Sequence, residues 1–237
     1  YMKYAAIIAI ILSSSFGLYT WMNNPESQMV AVTVRAGSKA EMALPDGTFV
    51  HLNAATNLEY DVNNSKQRLV KLSGEAFFDV AKNPDCPFKV IINDLQIEVV
   101  GTSFNVKTYK KDIVETSLLS GRIRISGGSL PHEYTLSTGQ KATYSAMDRT
   151  LRISKADAHV EAGWRDNYLI FESTPLIDVI AQIERWYGVE IRLHHKQIAQ
   201  DLLSGSFRNE SIQNVIRSLS IQYGFKYEIH KDIITIY

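Results

Sequence analysis

The sequence predicts an amino-terminal transmembrane helix, then an all-β domain, then a small α+β domain made of a duplicated β-α-β unit. A stretch of 19 uncharged residues opens the chain, short alternating runs fill its middle, and one pattern recurs after 36 positions near its end. The predicted fold class rests on these three observations. The expected boundaries are a short flanking segment at 1–3, the span at 4–22, a tether at 23–29, the all-β domain at 30–160 and the duplicated domain at 161–237.

The opening stretch, Tyr4 to Met22, has the length of a membrane span. A helix of this length is about 28 Å long, close to the roughly 30 Å hydrocarbon thickness of a bilayer. Tyr4 and Trp21 stand near its ends, where aromatic rings favour the headgroup layers. A cleaved signal peptide with residues 13–17 as its small-residue region is the alternative, although the apolar run continues beyond them. Either way, the position of Lys3 agrees with export of the remainder.

Composition narrows the classes of function. The 25 basic and 25 acidic residues balance and collect in no basic stripe, so nucleic acid is not an expected partner. The single cysteine, Cys86, cannot form an internal disulfide. No phosphate-binding glycine loop or nucleophile motif is present, and we expect no catalysis and no cofactor. The adjacent His194 and His195 would point to opposite faces of a strand, so we expect no metal site.

The middle of the chain has the period-two pattern of β-strands. Pro45-Asp46-Gly47 separates two such runs, and each of its residues favours a tight turn. Further runs lie at 70–80, 88–99 and 122–125, with turn residues between them. Short strands without helical periods indicate an all-β sandwich, a barrel or a solenoid-like sheet. The acidic residues Asp46, Glu75 and Asp79 are interpreted as turn and edge residues.

The last third contains an internal repeat. Residues 171–191, moved by 36 positions, fall on residues 207–227, and Tyr187-Gly188 falls on Tyr223-Gly224. In each copy, apolar residues mark one helix face, glycine ends the helix, and an alternating strand follows. We therefore predict a duplicated β-α-β unit with both helices on one face of a small sheet.

Gly101-Thr102 is open to two interpretations. A tight turn leading into Ser103 is the structural one. A Gly-Thr bond also places a hydroxyl beside the preceding carbonyl, as self-cleavage through an N–O acyl shift requires.

Several strings together resemble a known family. They are Leu44–Asn53, Leu72–Lys82 and Val100–Val106 in the all-β domain, and 169–176, 186–189 and 204–207 in the duplicated one. The chain is similar to the FecR-like, iron-dicitrate-sensor family of membrane-spanning anti-sigma regulators. The resemblance implies that the carboxy-terminal domain is similar to the short secretin-and-TonB amino-terminal (STN) module.

The resemblance also implies a signalling route. A cytoplasmic domain, of which residues 1–3 would be the end, holds an extracytoplasmic-function (ECF) sigma factor. The single span crosses the inner membrane, and the periplasmic part contacts the signalling domain of a TonB-dependent outer-membrane transporter. Nutrient uptake then leads to intramembrane proteolysis and changes transcription. Some relatives cleave themselves at a Gly-Thr pair, to which Gly101 and Thr102 correspond.

We expect the partner to add a strand to an open sheet edge of the duplicated domain. The candidate residues lie in two runs, namely Ser204, Ser206 and Phe207, and Ile234 and Ile236. A membrane-anchored structural or carbohydrate-binding β protein is the alternative function. Carbohydrate sites usually present exposed Trp or Tyr beside carboxylates and amides, whereas Trp164 and Trp186 fall in a linker and on a helix.

Overall fold

A computed structural model describes residues 12–18, 28–62, 68–194 and 196–237. Residues 12–18 form a helix, α1, inside the predicted membrane span. The remainder of that span, residues 1–3 and most of the predicted tether lie outside the described residues. Within the described ranges, no helix combines the length and the apolar character needed to cross a membrane.

The described residues from 29 to 155 form a β-sandwich, which we call the sandwich. Its strands are β1 (Met29–Val34), β2 (Ala40–Ala43), β3 (Phe49–Leu52), β4 (Thr56–Asp61), β5 (Arg68–Ser73), β6 (Glu75–Asp79), β7 (Phe88–Ile92), β8 (Leu95–Val99), β9 (Ser103–Lys107), β10 (Ile113–Ser120), β11 (Arg122–Gly127), β12 (Tyr134–Ser137), β13 (Gln140–Ser145) and β14 (Thr150–Lys155). Sheet 1 has the order β1-β4-β5-β7-β8-β11-β12, and sheet 2 has the order β14-β13-β10-β9-β6-β3-β2. Neighbouring strands are antiparallel except β5 and β7.

The core of the sandwich lies between the two sheets. Phe78 and Phe104 of sheet 2 stack with ring centres 5.2 Å apart, and Phe88 of sheet 1 lies 5.8 Å from Phe78. All three side chains are fully buried. Inward residues alternate with outward ones along most strands, as in β7, where Phe88, Val90 and Ile92 are buried. The prediction of a mostly β structure is confirmed, and among its alternatives the sandwich is the one observed.

The Pro45-Asp46-Gly47 turn connects β2 and β3, which pair as an antiparallel hairpin. Gly47 has a φ of 83°, a left-handed conformation that glycine adopts without strain. The Asp46 carboxylate accepts hydrogen bonds from the backbone N–H and the hydroxyl of Thr48 at 2.9 and 2.8 Å. Asp46 therefore acts as the turn residue that the sequence predicts.

The last part of the chain, which we call the α+β module, follows a connector at residues 156–167. The connector contains α2 (Ala158–Ala162) and a 3₁₀ turn (Gly163–Asp166). The module contains β15 (Tyr168–Pro175), α3 (Leu176–Tyr187), β16 (Glu190–Leu193), β17 (Leu202–Arg208), α4 (Ile212–Tyr223), β18 (Tyr227–His230) and β19 (Ile233–Ile236). Buried residues from both helices and from these strands share one core.

The repeat has the predicted order of elements, but the expectation of one small sheet is wrong. β15 pairs with β17 in a two-stranded sheet, and β16, β19 and β18 form a separate three-stranded sheet. β15 and β17 thus come one from each copy, whereas β19, which follows the second copy, lies between β16 and β18. Both helices end as predicted, at Gly188 with a φ of 69° and at Gly224 with a φ of 71°.

Candidate functional site: the interface between the sandwich and the α+β module

The connector covers the outer face of sheet 2. Its Ala162 and Trp164 are buried against Phe77 of β6, and Trp186 of α3 packs on the same cluster. The guanidinium of Arg165 lies 3.6 Å from the centre of the Phe77 ring, within the range of a cation–π contact. This cluster explains why β6 is buried on both faces, and it joins the two parts of the chain through side-chain packing.

A buried chain of polar side chains runs along this face of sheet 2. The carboxylate of Glu75 accepts hydrogen bonds from the amide groups of Asn53 at 2.7 Å and Asn105 at 2.9 Å. The Asn53 side-chain oxygen accepts from the backbone N–H of Ala54 at 2.8 Å, and that of Asn105 accepts from the indole N–H of Trp164 at 3.2 Å. Both amides are therefore fixed in orientation, and Glu75 must accept on both sides.

Lys39 reaches from the loop between β1 and β2 to the connector and α3. Its Nζ donates to the carbonyl of Trp164 at 2.6 Å and to the side-chain oxygen of Asn167 at 3.0 Å. The same ammonium lies 3.6 Å from the centre of the Trp186 ring. Burial lowers the pKa of Lys39 from 10.5 to about 8, and the negative charge of Glu75 opposes this change. Lys39 thus links the sandwich to the connector and to the α+β module.

Two glycines, one from each part, meet at the interface. The N–H of Gly37 donates to the carbonyl of Arg185 at 2.8 Å. A Cβ at Gly37 would lie 3.1 Å from the carbonyl oxygen of Tyr187, and one at Gly188 would lie 3.1 Å from that of Ala36. The backbones approach so closely that larger residues would push them apart.

A third set of contacts joins the loop after β9 to α3. The Arg185 guanidinium lies 4.2 Å from the centre of the Tyr109 ring, and the Lys110 ammonium lies 2.6 Å from the Asp178 carboxylate. Burial raises the pKa of the Tyr109 hydroxyl well above its usual range, and it lowers the pKa of Arg185. These shifts reflect a partly desolvated contact.

A cleft of about 450 Å³ opens beside these contacts, between the sandwich, the connector, β15 and α3. Five acidic and four basic residues line it. Lys141 pairs there with Glu115 at 3.2 Å and with Glu161 at 2.9 Å. In the part of the chain that the structure describes, no group of His, Cys, Asp or Glu is placed to hold a metal ion.

This two-part structure is similar to known proteins. The family model described as "FecR protein" matches residues 30–124, and "FecR, C-terminal" matches residues 168–236. A solved structure from Parabacteroides distasonis ATCC 8503, 30% identical in sequence, superimposes with a TM-score of 0.79 over 88% of this chain and 98% of its own. The chain belongs to the FecR family.

That solved protein is described as a "putative anti-sigma factor". A second structure with the same description, from the same organism, is 29% identical and also has a TM-score of 0.79. It covers 89% of this chain and 99% of its own. No curated protein matches the chain. The similarity to the solved structures therefore spans the sandwich, the connector and the α+β module together.

The predicted self-cleavage pair of this FecR-family chain lies between β8 and β9. Thr102 is buried, and its hydroxyl donates to the carbonyl of Arg122 at 3.1 Å. A Cβ at Gly101 would lie 2.9 Å from the Cα of Lys82, so the site requires glycine. Both residues have a structural role, and cleavage of the bond between them stays a prediction.

The predicted partner-binding residues fall into two different environments. Ser204, Ser206 and Phe207 lie on β17, which has β15 as its neighbour in a two-stranded sheet and leaves its other side unpaired among the described strands. Ile234 and Ile236 lie on β19, which pairs with β16 on one side and with β18 on the other. The expectation of an open edge at β19 is wrong, because both isoleucines are buried in the centre of a sheet.

Sequence reasoning missed the interface residues. Glu75 was expected at a turn or an edge, but it is 7% exposed and lies under the connector. The consecutive Phe77 and Phe78 were an available signal, since adjacent aromatic residues on a strand point to opposite faces and both need cover. Trp164 does lie in the connector and Trp186 on a helix, as the sequence predicts.

Proposed function

We propose that this FecR-family chain is the sensor of an anti-sigma regulator, anchored in the inner membrane by residues 4–22. The observation that carries the proposal is the 30% identity over 98% of a solved protein described as a "putative anti-sigma factor". The sandwich and the α+β module lie in the periplasm. An ECF sigma factor is the partner on the cytoplasmic side, and intramembrane proteolysis of the span changes its activity.

The α+β module receives the signal in this proposal. In this proposal the α+β module is related to the STN module, and it binds the periplasmic signalling domain of a TonB-dependent transporter. The free side of β17 can accept an added strand, because its unpaired backbone groups need partners. The sandwich lies between this module and the anchor in chain order. A signal from the module therefore has to cross the interface at Lys39, Trp164 and Gly188.

Transcription tests the sigma-factor relationship. We expect affinity purification of the full-length protein from membranes to retain an ECF sigma factor. Deleting the gene should change transcription from the promoters that this sigma factor serves, and the full-length gene should restore it. Unchanged transcription at those promoters in the deletion strain would contradict the proposal.

A proline at Ser206 tests strand addition to β17. Proline interferes with strand pairing through its missing N–H and its ring. We expect Ser206→Pro to weaken binding to the transporter signalling domain by at least tenfold, which is about 1.4 kcal/mol. Ser154→Pro is the matched control, because Ser154 is an exposed serine on β14, an edge strand of the sandwich. Equal binding by both variants and the wild type would remove β17 as the contact.

Self-cleavage at Gly101-Thr102 completes the proposal, without any turnover catalysis. The Thr102 hydroxyl adds to the carbonyl carbon of Gly101, the Thr102 nitrogen leaves as an amine, and water hydrolyses the resulting ester. Intact-mass analysis of the purified chain should show two fragments, and Thr102→Val should give one species. A wild-type chain that stays intact for days would exclude the reaction.

A further inference from the structure

The cleft between the sandwich and the α+β module has the size and position of a small-molecule site. Its volume of about 450 Å³ falls within the roughly 300–1,000 Å³ of typical ligand pockets, which often lie at domain interfaces. None of the β17 residues proposed to bind the transporter lines this cleft.

The inner end of the cleft combines hydrogen-bond donors and acceptors from both parts of the chain. Asn53 and Glu75 come from the sandwich, and Gln182 and Arg185 come from α3. The same four residues line a smaller, adjoining cavity of about 10 Å³, which is roughly the space of one water molecule. This end of the cleft is polar and large enough to hold water, so a polar group of a ligand can take the place of that water.

Arg185 is the donor with the most unused capacity at this end. Its guanidinium stacks over the Tyr109 ring at 4.2 Å, which holds the group in place without consuming its N–H donors. Among the described residues, none accepts a hydrogen bond from this guanidinium. Glu75 lies nearby as an acceptor whose charge acts on Arg185.

The charges along the walls argue against an ionic ligand. Lys110 pairs with Asp178 and Lys141 pairs with Glu115, so most wall charges already have partners of opposite sign. The Glu75 carboxylate would repel a strongly anionic ligand, and the Arg185 guanidinium would repel a cationic one. A neutral ligand with neighbouring hydroxyl groups avoids both, because one hydroxyl can donate to the carboxylate while the next accepts from the guanidinium.

We propose that this cleft binds a neutral polyhydroxyl ligand of one or two sugar units. Val160 and Ile170 supply apolar wall for the C–H groups of a sugar ring. Because the ligand would touch Glu75 on the sandwich and both Gln182 and Arg185 on α3, its binding favours the arrangement in which the two parts are in contact. Ligand binding in this cleft does not depend on the sigma factor or the transporter.

The test measures binding to the full chain in lipid nanodiscs, since maltoside detergents carry sugar headgroups. Maltose and N-acetylglucosamine are the neutral probes, and citrate and spermidine are the charged ones. Isothermal titration and saturation-transfer NMR should detect the sugars and neither charged probe. Gln182→Ala and Arg185→Leu should each weaken sugar binding about fivefold or more, the effect of losing one hydrogen bond of about 1 kcal/mol. Arg217→Leu on α4, which lies outside the cleft, should bind as the wild type does.

Three results would overturn the proposal. The first is the absence of sugar binding to the wild type at millimolar concentration. The second is equal sugar binding by Gln182→Ala and the wild type, which would place the sugar elsewhere. The third is binding of citrate or spermidine in preference to both sugars. Circular-dichroism melting checks that each variant folds, and Gln182→Ala, a change at a half-exposed side chain, keeps the test valid if Arg185→Leu does not fold.

Discussion

Replacing Glu75 by glutamine tests the buried polar chain at the interface with almost no change in shape. Glutamine exchanges one acceptor oxygen for an NH₂ donor. The amides of Asn53 and Asn105 both present donors to this position, and neither can turn over without losing its bond to Ala54 or Trp164. The NH₂ group of the introduced glutamine therefore faces another donor in either orientation.

The expected cost follows from these contacts. One hydrogen bond to a charged group disappears, worth about 1.5–3 kcal/mol, and a buried donor left without a partner costs about 1–3 kcal/mol. Removing a buried charge recovers part of its desolvation penalty. We expect Glu75→Gln to lower the free energy of unfolding by roughly 2–4 kcal/mol. Urea unfolding followed by tryptophan fluorescence and circular dichroism measures it.

A second substitution, Asn105→Asp, tests whether the loss of stability comes from these hydrogen bonds. Asn105→Asp alone places two carboxylates side by side and should destabilise the protein. In the double variant Glu75→Gln with Asn105→Asp, the new aspartate accepts from the glutamine and can still accept from Trp164. We expect the double variant to be more stable than the sum of the single effects predicts, by at least about 1 kcal/mol. Additive effects, or a Glu75→Gln change below about 0.5 kcal/mol, would refute this account.

Three further predictions concern the backbone contact, the lysine link and the fold of the sandwich. Gly188→Ala and Gly224→Ala should each cost about 1 kcal/mol for a left-handed alanine. Only Gly188→Ala should also speed proteolysis of the connector, because its Cβ would meet the carbonyl oxygen of Ala36, whereas a Cβ at Gly224 would have nothing within 4 Å. Equal proteolysis of the two variants would contradict this. The pKa of Lys39 is about 8 in the folded protein against an ordinary value of 10.5, so the unfolded chain binds more protons between these values. The contribution of Lys39 to the free energy of unfolding should therefore rise from pH 8 to pH 9.5. Urea titrations of Lys39→Met should show a smaller rise over this pH range. Arg68→Met should destabilise the sandwich by about 3–5 kcal/mol in urea unfolding, because it removes donors from three carbonyls of residues 81–86, and a loss below about 1 kcal/mol would contradict this.

The parts of the fold that could be predicted are those encoded by local chemistry. The turn at 45–47 and the helix ends at Gly188 and Gly224 follow from backbone conformations that few residues adopt. The repeat also has the predicted order of helix and strand, because its apolar spacing is periodic in the sequence. A sheet partner has no such local signal. β15 pairs with β17, and β16 pairs with β19, although long stretches of chain separate the partners. These pairings decide which strand lies at the edge of a sheet.

The candidate site depends on what packs on the outer face of sheet 2, which no local pattern describes. Glu75 resembles an edge residue until the connector covers it. Lys39 resembles a solvated loop lysine until Trp164 and Trp186 come to lie beside it. Both residues acquire their roles from segments more than 80 positions away. A single sequence therefore indicates the two parts of the molecule more readily than the contact between them.

The pairing of strands within the α+β module has a consequence for its two halves. The first strands of the two copies, β15 and β17, pair with each other, so one copy alone would leave its first strand without a partner. A chain cut between the two copies would therefore expose a sheet edge on each half, because β15 and β17 now cover that edge for each other.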